Sequence, residues 1–166
     1  MRNRVLNLVM TGLFIGIIFF VIWQFRVPNG FGGVIHFGDS LIFIAAVMLP
    51  FPYSLVAAAI GPGLFNLVEI PIWLPFTLMI KPLMALCFTN RGETILGPIR
   101  NRIAPFLAAG INTVLYFVAN MILFNGWAGG VAALQGLVIQ GVGSIAFFFL
   151  FAVALDRVKA KKMLWK

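Results

Sequence analysis

The chain is a succession of apolar runs of bilayer-crossing length, separated by short breaks of Pro, Gly or clustered charge. The first is "VLNLVMTGLFIGIIFFVIWQF", residues 5–25. Crossing a hydrocarbon core takes about 20 apolar residues in a helix, and a helix satisfies its own backbone where no water can. With 62% hydrophobic and only 10% charged residues among 166, and a mean hydropathy of +1.07, an ordinary soluble domain is excluded. The runs predict helices over 5–25, 34–49, 53–70, 72–88, 103–124 and 131–155. Nearly every residue is thereby committed to a span. The expected fold is an all-α membrane protein of six transmembrane helices, a single transmembrane domain over residues 1–166. The second and fourth helices are short for full spans, which local thinning or a pocket open to water accommodates.

An even number of spans puts both termini on one side. On that side fall Arg2, Arg4, Arg91, Arg100, Arg102, Arg157, Lys159, Lys161, Lys162 and Lys166, leaving only Arg26 and Lys81 of the twelve basic residues elsewhere. The positive-inside bias makes that side cytoplasmic. The net charge of +8 is then explained by topology and anionic lipid contact, with no nucleic acid as partner. The basic start "MRNR" is shared with signal peptides, but the run that follows is too long and lacks a small-residue cleavage site, so a retained span is expected. Cys87 is the single cysteine, which excludes an internal disulfide and suggests no cysteine-based metal site.

Topology gives each intramembrane polar residue a depth as well as a face. His36, Asp39 and Ser40 follow i, i+3, i+4 at the outer start of the second helix, and Asn66 and Glu69 share a face at the outer end of the third. Trp73, Thr77 and Lys81 form a stripe along the fourth, from the outer surface to about mid-membrane. Asn112, Tyr116 and Asn120 repeat that spacing on the fifth, and the sixth carries Gln135 and, deeper, Gln140. A charge at the centre of a span costs about 2.5–3.5 kcal/mol on insertion scales, so such groups face inward, pair, or line a wet cavity. The expectation is a pocket in the outer half of the bundle, open to the outside.

Each residue also has a plainer reading. Asn, Gln, Ser and Thr serve as interhelical hydrogen bonds, Trp73 suits an interface belt, and His36 suits a polar helix start. Lys81 has two readings, partner of a substrate anion or ion pair with Asp39 or Glu69. His36, Asp39 and Glu69 lack a recognised metal-ligand spacing, so no metal is expected. No nucleophile elbow, His-Glu-x-x-His or phosphate-binding Gly-rich loop is present, so neither an enzyme nor a cofactor is expected.

Gly12 and Gly16 form a Gly-x-x-x-Gly that strips one face of the first helix to backbone, for packing within the bundle or against a partner. The outer loop "RVPNGFGG" sets Arg26, Pro28, Asn29 and Gly30 beside the pocket mouth, as a closing loop or as a plain connector.

In this order the motifs are familiar. A small-x-x-x-small first helix, a Pro/Gly loop and "IHFGDSLIFIAAVMLP" are followed by "AAAIGPGLFNLVEIPIWLPFTLMIKPLMAL", then "YFVANMILF" and "ALQGLVIQGVG". The chain resembles the S components of energy-coupling factor (ECF) transporters over essentially its whole length. Pro75, Thr77, Lys81 and Gln135 match the family pattern, whereas Asn66 stands where an Asp is common and Ala132 where an Asn often precedes the Gln. The resemblance implies a substrate-binding subunit without ATPase activity in a prokaryotic cell membrane, which takes up a vitamin or related micronutrient. Its partners would be a transmembrane coupling subunit, docked on the Gly12 and Gly16 face, and two cytoplasmic ATPases. Substrate would lie under the first outer loop, with His36, Asp39, Asn66, Glu69, Trp73, Thr77, Lys81, Tyr116, Asn120, Gln135 and Gln140 as the candidate contacts. The alternative is a self-sufficient small channel or proton-coupled carrier, with His36, Asp39 and Glu69 relaying protons.

Overall fold

The computed structural model describes residues 2–28 and 34–164, and nearly all of them are helical. The helices are α1 (Arg2–Gln24), α2 (Gly38–Met48), α3 (Tyr53–Glu69), α4 (Leu74–Leu86), α5 (Ile99–Leu123), α6 (Trp127–Arg157) and the short α7 (Ala160–Leu164). A 3-10 turn, Pro71–Trp73, leads into α4. Among the described residues α1, α5 and α6 are long and apolar enough to cross a membrane, while α2, α3 and the Pro71–Leu86 stretch are shorter apolar helices.

The second helix begins later than the apolar run predicts. Val34–His36 is a strand, β2, paired antiparallel with β1 (Arg26–Pro28) in the register Arg26 to His36 and Pro28 to Val34. Val34 and Ile35 are β-branched and suit a strand, and the partner strand takes up their backbone bonds. His36 is therefore not on a helical face with Asp39 and Ser40. Asn29 and Gly30 of the loop between the strands lie outside the described residues. The fifth helix starts at Ile99 rather than at 103, directly after Pro98, whose extended backbone marks the boundary. The sixth gains a turn at its start, and α7 follows it.

The shortness of α2 has a physical reason. Every residue of it except Leu41 is buried, because it runs through the middle of the molecule and touches α1, α3, α4 and α6. A helix of 11 residues rises only about 16 Å, but one enclosed by protein has no need to match the hydrocarbon thickness. By contrast α1 lies on the outside, packed on α3 through Ile18 and Ile22 while Val5, Leu8, Val9, Leu13 and Phe20 are exposed. Ile18 lies where a Cβ on Gly61 would sit, 2.8 Å from its nearest atom, so the glycine of α3 is what lets α1 approach.

At the end of the bundle where the basic residues cluster, the α4–α5 connection is held by side chains. Asn101 is wholly buried; it accepts from the Thr89 backbone N–H at 2.9 Å and donates to the carbonyls of Thr89 (2.9 Å) and Ile95 (2.8 Å). The Asp156 carboxylate accepts from the N–H groups of Ile95 (2.6 Å) and Leu96 (3.0 Å), and Lys161 donates to the Asn90 carbonyl. Each such bond is worth about 1 kcal/mol net, and more where removal strands a buried partner. Asn101→Ala is expected to cost about 2–4 kcal/mol, checked as a fall in the unfolding midpoint in detergent; an unchanged midpoint would show that this clamp is idle.

Candidate functional site

At the opposite end, α3, α4, α5 and α6 line a cavity of about 60 Å3 that β2 roofs. Into it the sequence places polar groups from each wall: His36 from β2, Asn66 from α3, Trp73, Thr77 and Lys81 from the α4 segment, Tyr116 and Asn120 from α5, and Gln140 from α6. Helical spacing explains the alignment. Thr77 and Lys81 lie one turn apart on α4, as do Tyr116 and Asn120 on α5, so each helix turns one polar stripe toward the cavity. The remaining lining is apolar, from Val34, Pro62, Phe65, Ile70 and Leu137.

Two hydrogen-bonded chains tie these walls together. In one, Asn66 Nδ2 donates to Thr77 Oγ1 at 2.5 Å, and Thr77 Oγ1 shares a 2.6 Å bond with the Tyr116 hydroxyl. In the other, Lys81 Nζ donates to Asp39 Oδ1 at 2.7 Å and to Asn112 Oδ1 at 2.9 Å, while Gln140 Nε2 donates to Asp39 Oδ2 at 2.9 Å. Both side chains of the Lys81–Asp39 pair are 2% exposed. Of the two readings of Lys81, the ion pair with Asp39 is the one realised. That pair links α2 to α4, with α5 and α6 supplying the remaining bonds. Glu69 pairs instead with Arg26, at 2.9 Å.

Arg26 also anchors the hairpin. Its guanidinium lies 5.1 Å from the Trp23 ring centroid and 5.2 Å from that of Phe65, so β1 is tied to both α1 and α3. Pro28 is exposed at the end of β1. What reads in the sequence as a loop with little structure of its own is, at Arg26–Pro28 and Val34–His36, a paired and anchored roof.

Two buried polar atoms of the cavity wall have no hydrogen-bond partner among the described residues: Nδ1 of His36 and Oδ1 of Asn120. The Asn120 amide nitrogen is held by the Tyr116 carbonyl at 2.8 Å, which orients the oxygen. Beside them Trp73 and Tyr116 pack with ring centroids 5.7 Å apart, and Phe76 and Phe124 extend the aromatic group from Trp73. The site combines aromatic surface, hydrogen-bonding edges and charges already matched to each other.

Several expected contacts lie elsewhere. Gln135 is exposed on α6 and does not line the cavity, because a separation of five residues from Gln140 turns it about 140° away. Asp39 is behind the wall, reaching the site only through Lys81 and Gln140. Ser40 bonds the Phe37 carbonyl at 2.7 Å within its own helix start. Gly12 and Gly16 are exposed on α1, and a Cβ on either would meet nothing within 4 Å. The apolar lining residues carry no mark in the sequence that separates them from any other span residue.

Comparisons with known proteins place nearly the whole chain beside one family. A family model described as "ECF-type riboflavin transporter, S component" matches residues 2–159. An uncharacterised protein of Pyrococcus woesei is 28% identical over 120 residues, covering 68% of this chain and 76% of that protein.

Proposed function

Since the chain belongs to the family of ECF-type riboflavin transporter S components, a multi-pass membrane protein of vitamin transport, we propose that it binds riboflavin or a close flavin relative and hands it to an ECF module. In this reading it crosses a prokaryotic cytoplasmic membrane six times with both termini inside, and the cavity faces out. A transmembrane coupling subunit and two ATPases supply the energy, and this chain performs no chemistry on its cargo.

The observation that carries the reading is the pairing of orphaned polar atoms with an aromatic wall. His36 Nδ1 and Asn120 Oδ1 are buried without hydrogen-bond partners among the described residues, in the same cavity wall as Trp73 and Tyr116. A flat heteroaromatic molecule with donors and acceptors on its edge satisfies both, by stacking and by hydrogen bonds. The cationic groups at the site already have carboxylates, Lys81 with Asp39 and Arg26 with Glu69, which suits an uncharged ring system better than an anion. At about 60 Å3 the cavity has room for roughly four waters, whereas ligand pockets run to roughly 300 Å3 and more. Loading therefore requires the hairpin roof to swing outward, with the half-exposed Arg26–Glu69 pair as its tether.

The test is a titration of riboflavin into the purified full-length chain, followed by quenching of flavin fluorescence. One saturable site is expected, weakened about tenfold or more by Tyr116→Ala and by Asn120→Ala, since each removes a stacking surface or a buried hydrogen bond. Unchanged affinity in both variants would place the ligand elsewhere.

A further inference from the structure

A second cavity, of about 310 Å3, opens at the basic end of the bundle between α2, α3, α4 and the start of α5. Its accessible lining is mostly polar, backed by the buried side chains of Leu49 and Phe88, and Phe51 at its edge is 70% exposed. Arg91 and Arg100 line it as well. Arg100 is positioned by its own chain: Nε donates to the Cys87 carbonyl at 2.7 Å and Nη2 to the Leu86 carbonyl, at the end of α4. The Arg91 guanidinium has no side-chain partner among the described residues.

Among the described residues no carboxylate pairs with either arginine. The chain has only four acidic residues. Asp39 is taken by Lys81, Glu69 by Arg26 and Glu93 by Lys162, while both oxygens of Asp156 accept backbone N–H groups. A pair of exposed guanidinium groups lining a largely polar cleft, in a protein whose sides are oily, is open to an anion from outside. The chemistry required is a phosphate, which arginine holds through paired N–H donors, carried on a molecule with apolar tails that cover Leu55, Leu86 and Phe51.

We infer that this cleft seats the headgroup of one anionic phospholipid, its phosphate against Arg91 and Arg100 and its acyl chains along the α3–α4 face. The site is separate from the flavin cavity and uses none of its residues. A bound lipid would brace the ends of α3 and α4 and the connection that follows α4.

The experiment is native mass spectrometry of the full-length protein, delipidated in detergent and then offered phosphatidylglycerol or phosphatidylcholine of the same acyl chains. The wild type is expected to retain one phosphatidylglycerol several-fold more strongly than phosphatidylcholine. Arg91→Gln and Arg100→Gln should each lower that retention about fivefold, as expected for one basic residue at an anionic surface. Arg102→Gln, which alters a residue outside the cleft, should leave it unchanged. Arg91→Gln removes a side chain without side-chain partners among the described residues, so its unfolding midpoint should match the wild type even if that of Arg100→Gln does not. Equal retention of the two lipids, or retention untouched by Arg91→Gln, would overturn the inference. So would displacement of the lipid by millimolar inorganic phosphate, which would make this a free-phosphate site. Full lipid retention with lost uptake in Arg91→Gln would assign the arginines to an acidic face of the coupling subunit instead.

Discussion

Asp39→Asn is expected to destabilise the folded chain by about 3–5 kcal/mol, the range for removing one partner of a buried ion pair. The reason is where the charge sits. Lys81 is 2% exposed and reaches Asp39 at 2.7 Å in the interior between α2 and α4. Asn112 takes a second proton of the ammonium group, and Gln140 fills the other carboxylate oxygen. Neutralising the aspartate leaves an ammonium group in a low-dielectric site with amide oxygens and the Tyr116 ring, 5.1 Å away, but no anion. Lys81→Met should be comparably costly, since it leaves the carboxylate facing Gln140 alone. The double variant, Asp39→Asn with Lys81→Met, removes both charges and should recover a large part of the loss, because a buried pair exchanged for neutral groups is often close to balanced. Unfolding midpoints of the four proteins in one detergent measure this. Single variants as stable as the parent would mean that the pair contributes nothing to the fold.

Gly12→Leu should abolish uptake through an ECF module, a fall of more than tenfold, while leaving flavin binding by the isolated chain intact. The expectation rests on which side of α1 carries the glycine. Ile18 and Ile22 turn inward, but a side chain on Gly12 or Gly16 projects into open space. Leucine is therefore accommodated without a clash inside the chain, and any lost function belongs to a partner that needs close approach to the α1 backbone. Wild-type uptake in both Gly12→Leu and Gly16→Leu would remove this face from the docking surface. Loss of binding as well as uptake would show that the face is internal after all.

Much of this was legible in the residues because hydropathy and helical period act locally. The apolar runs locate the helices, and stripes at i, i+4 such as Thr77 with Lys81, or Tyr116 with Asn120, identify the face that the cavity uses. What was not legible depends on which helices become neighbours. The choice of Asp39 over Glu69 as partner of Lys81 is made by α2 passing through the middle of the bundle, and no local pattern announces that path. The same holds for Arg26, whose pairing with Glu69 and stacking on Trp23 and Phe65 bring three separate segments together. The strand at Val34–His36 is hidden because three apolar or amphipathic letters before a helix extend its pattern equally well. Gln135 shows the limit of depth as a guide: it lies on the right helix but on the wrong face. Asn101 and Asp156 carry no mark in the sequence because their partners are backbone groups, which every residue possesses.

Uptake of labelled riboflavin into liposomes separates a captured-and-delivered cargo from a self-sufficient carrier. The chain is reconstituted alone, and then together with a coupling subunit and ATPases, with and without ATP. A subunit that only captures its ligand should bind riboflavin in the first preparation without accumulating it, and should accumulate it in the second only with ATP. Accumulation by the chain alone, or driven by a proton gradient without ATP, would contradict this and favour a small carrier working through His36, Asp39 and Glu69.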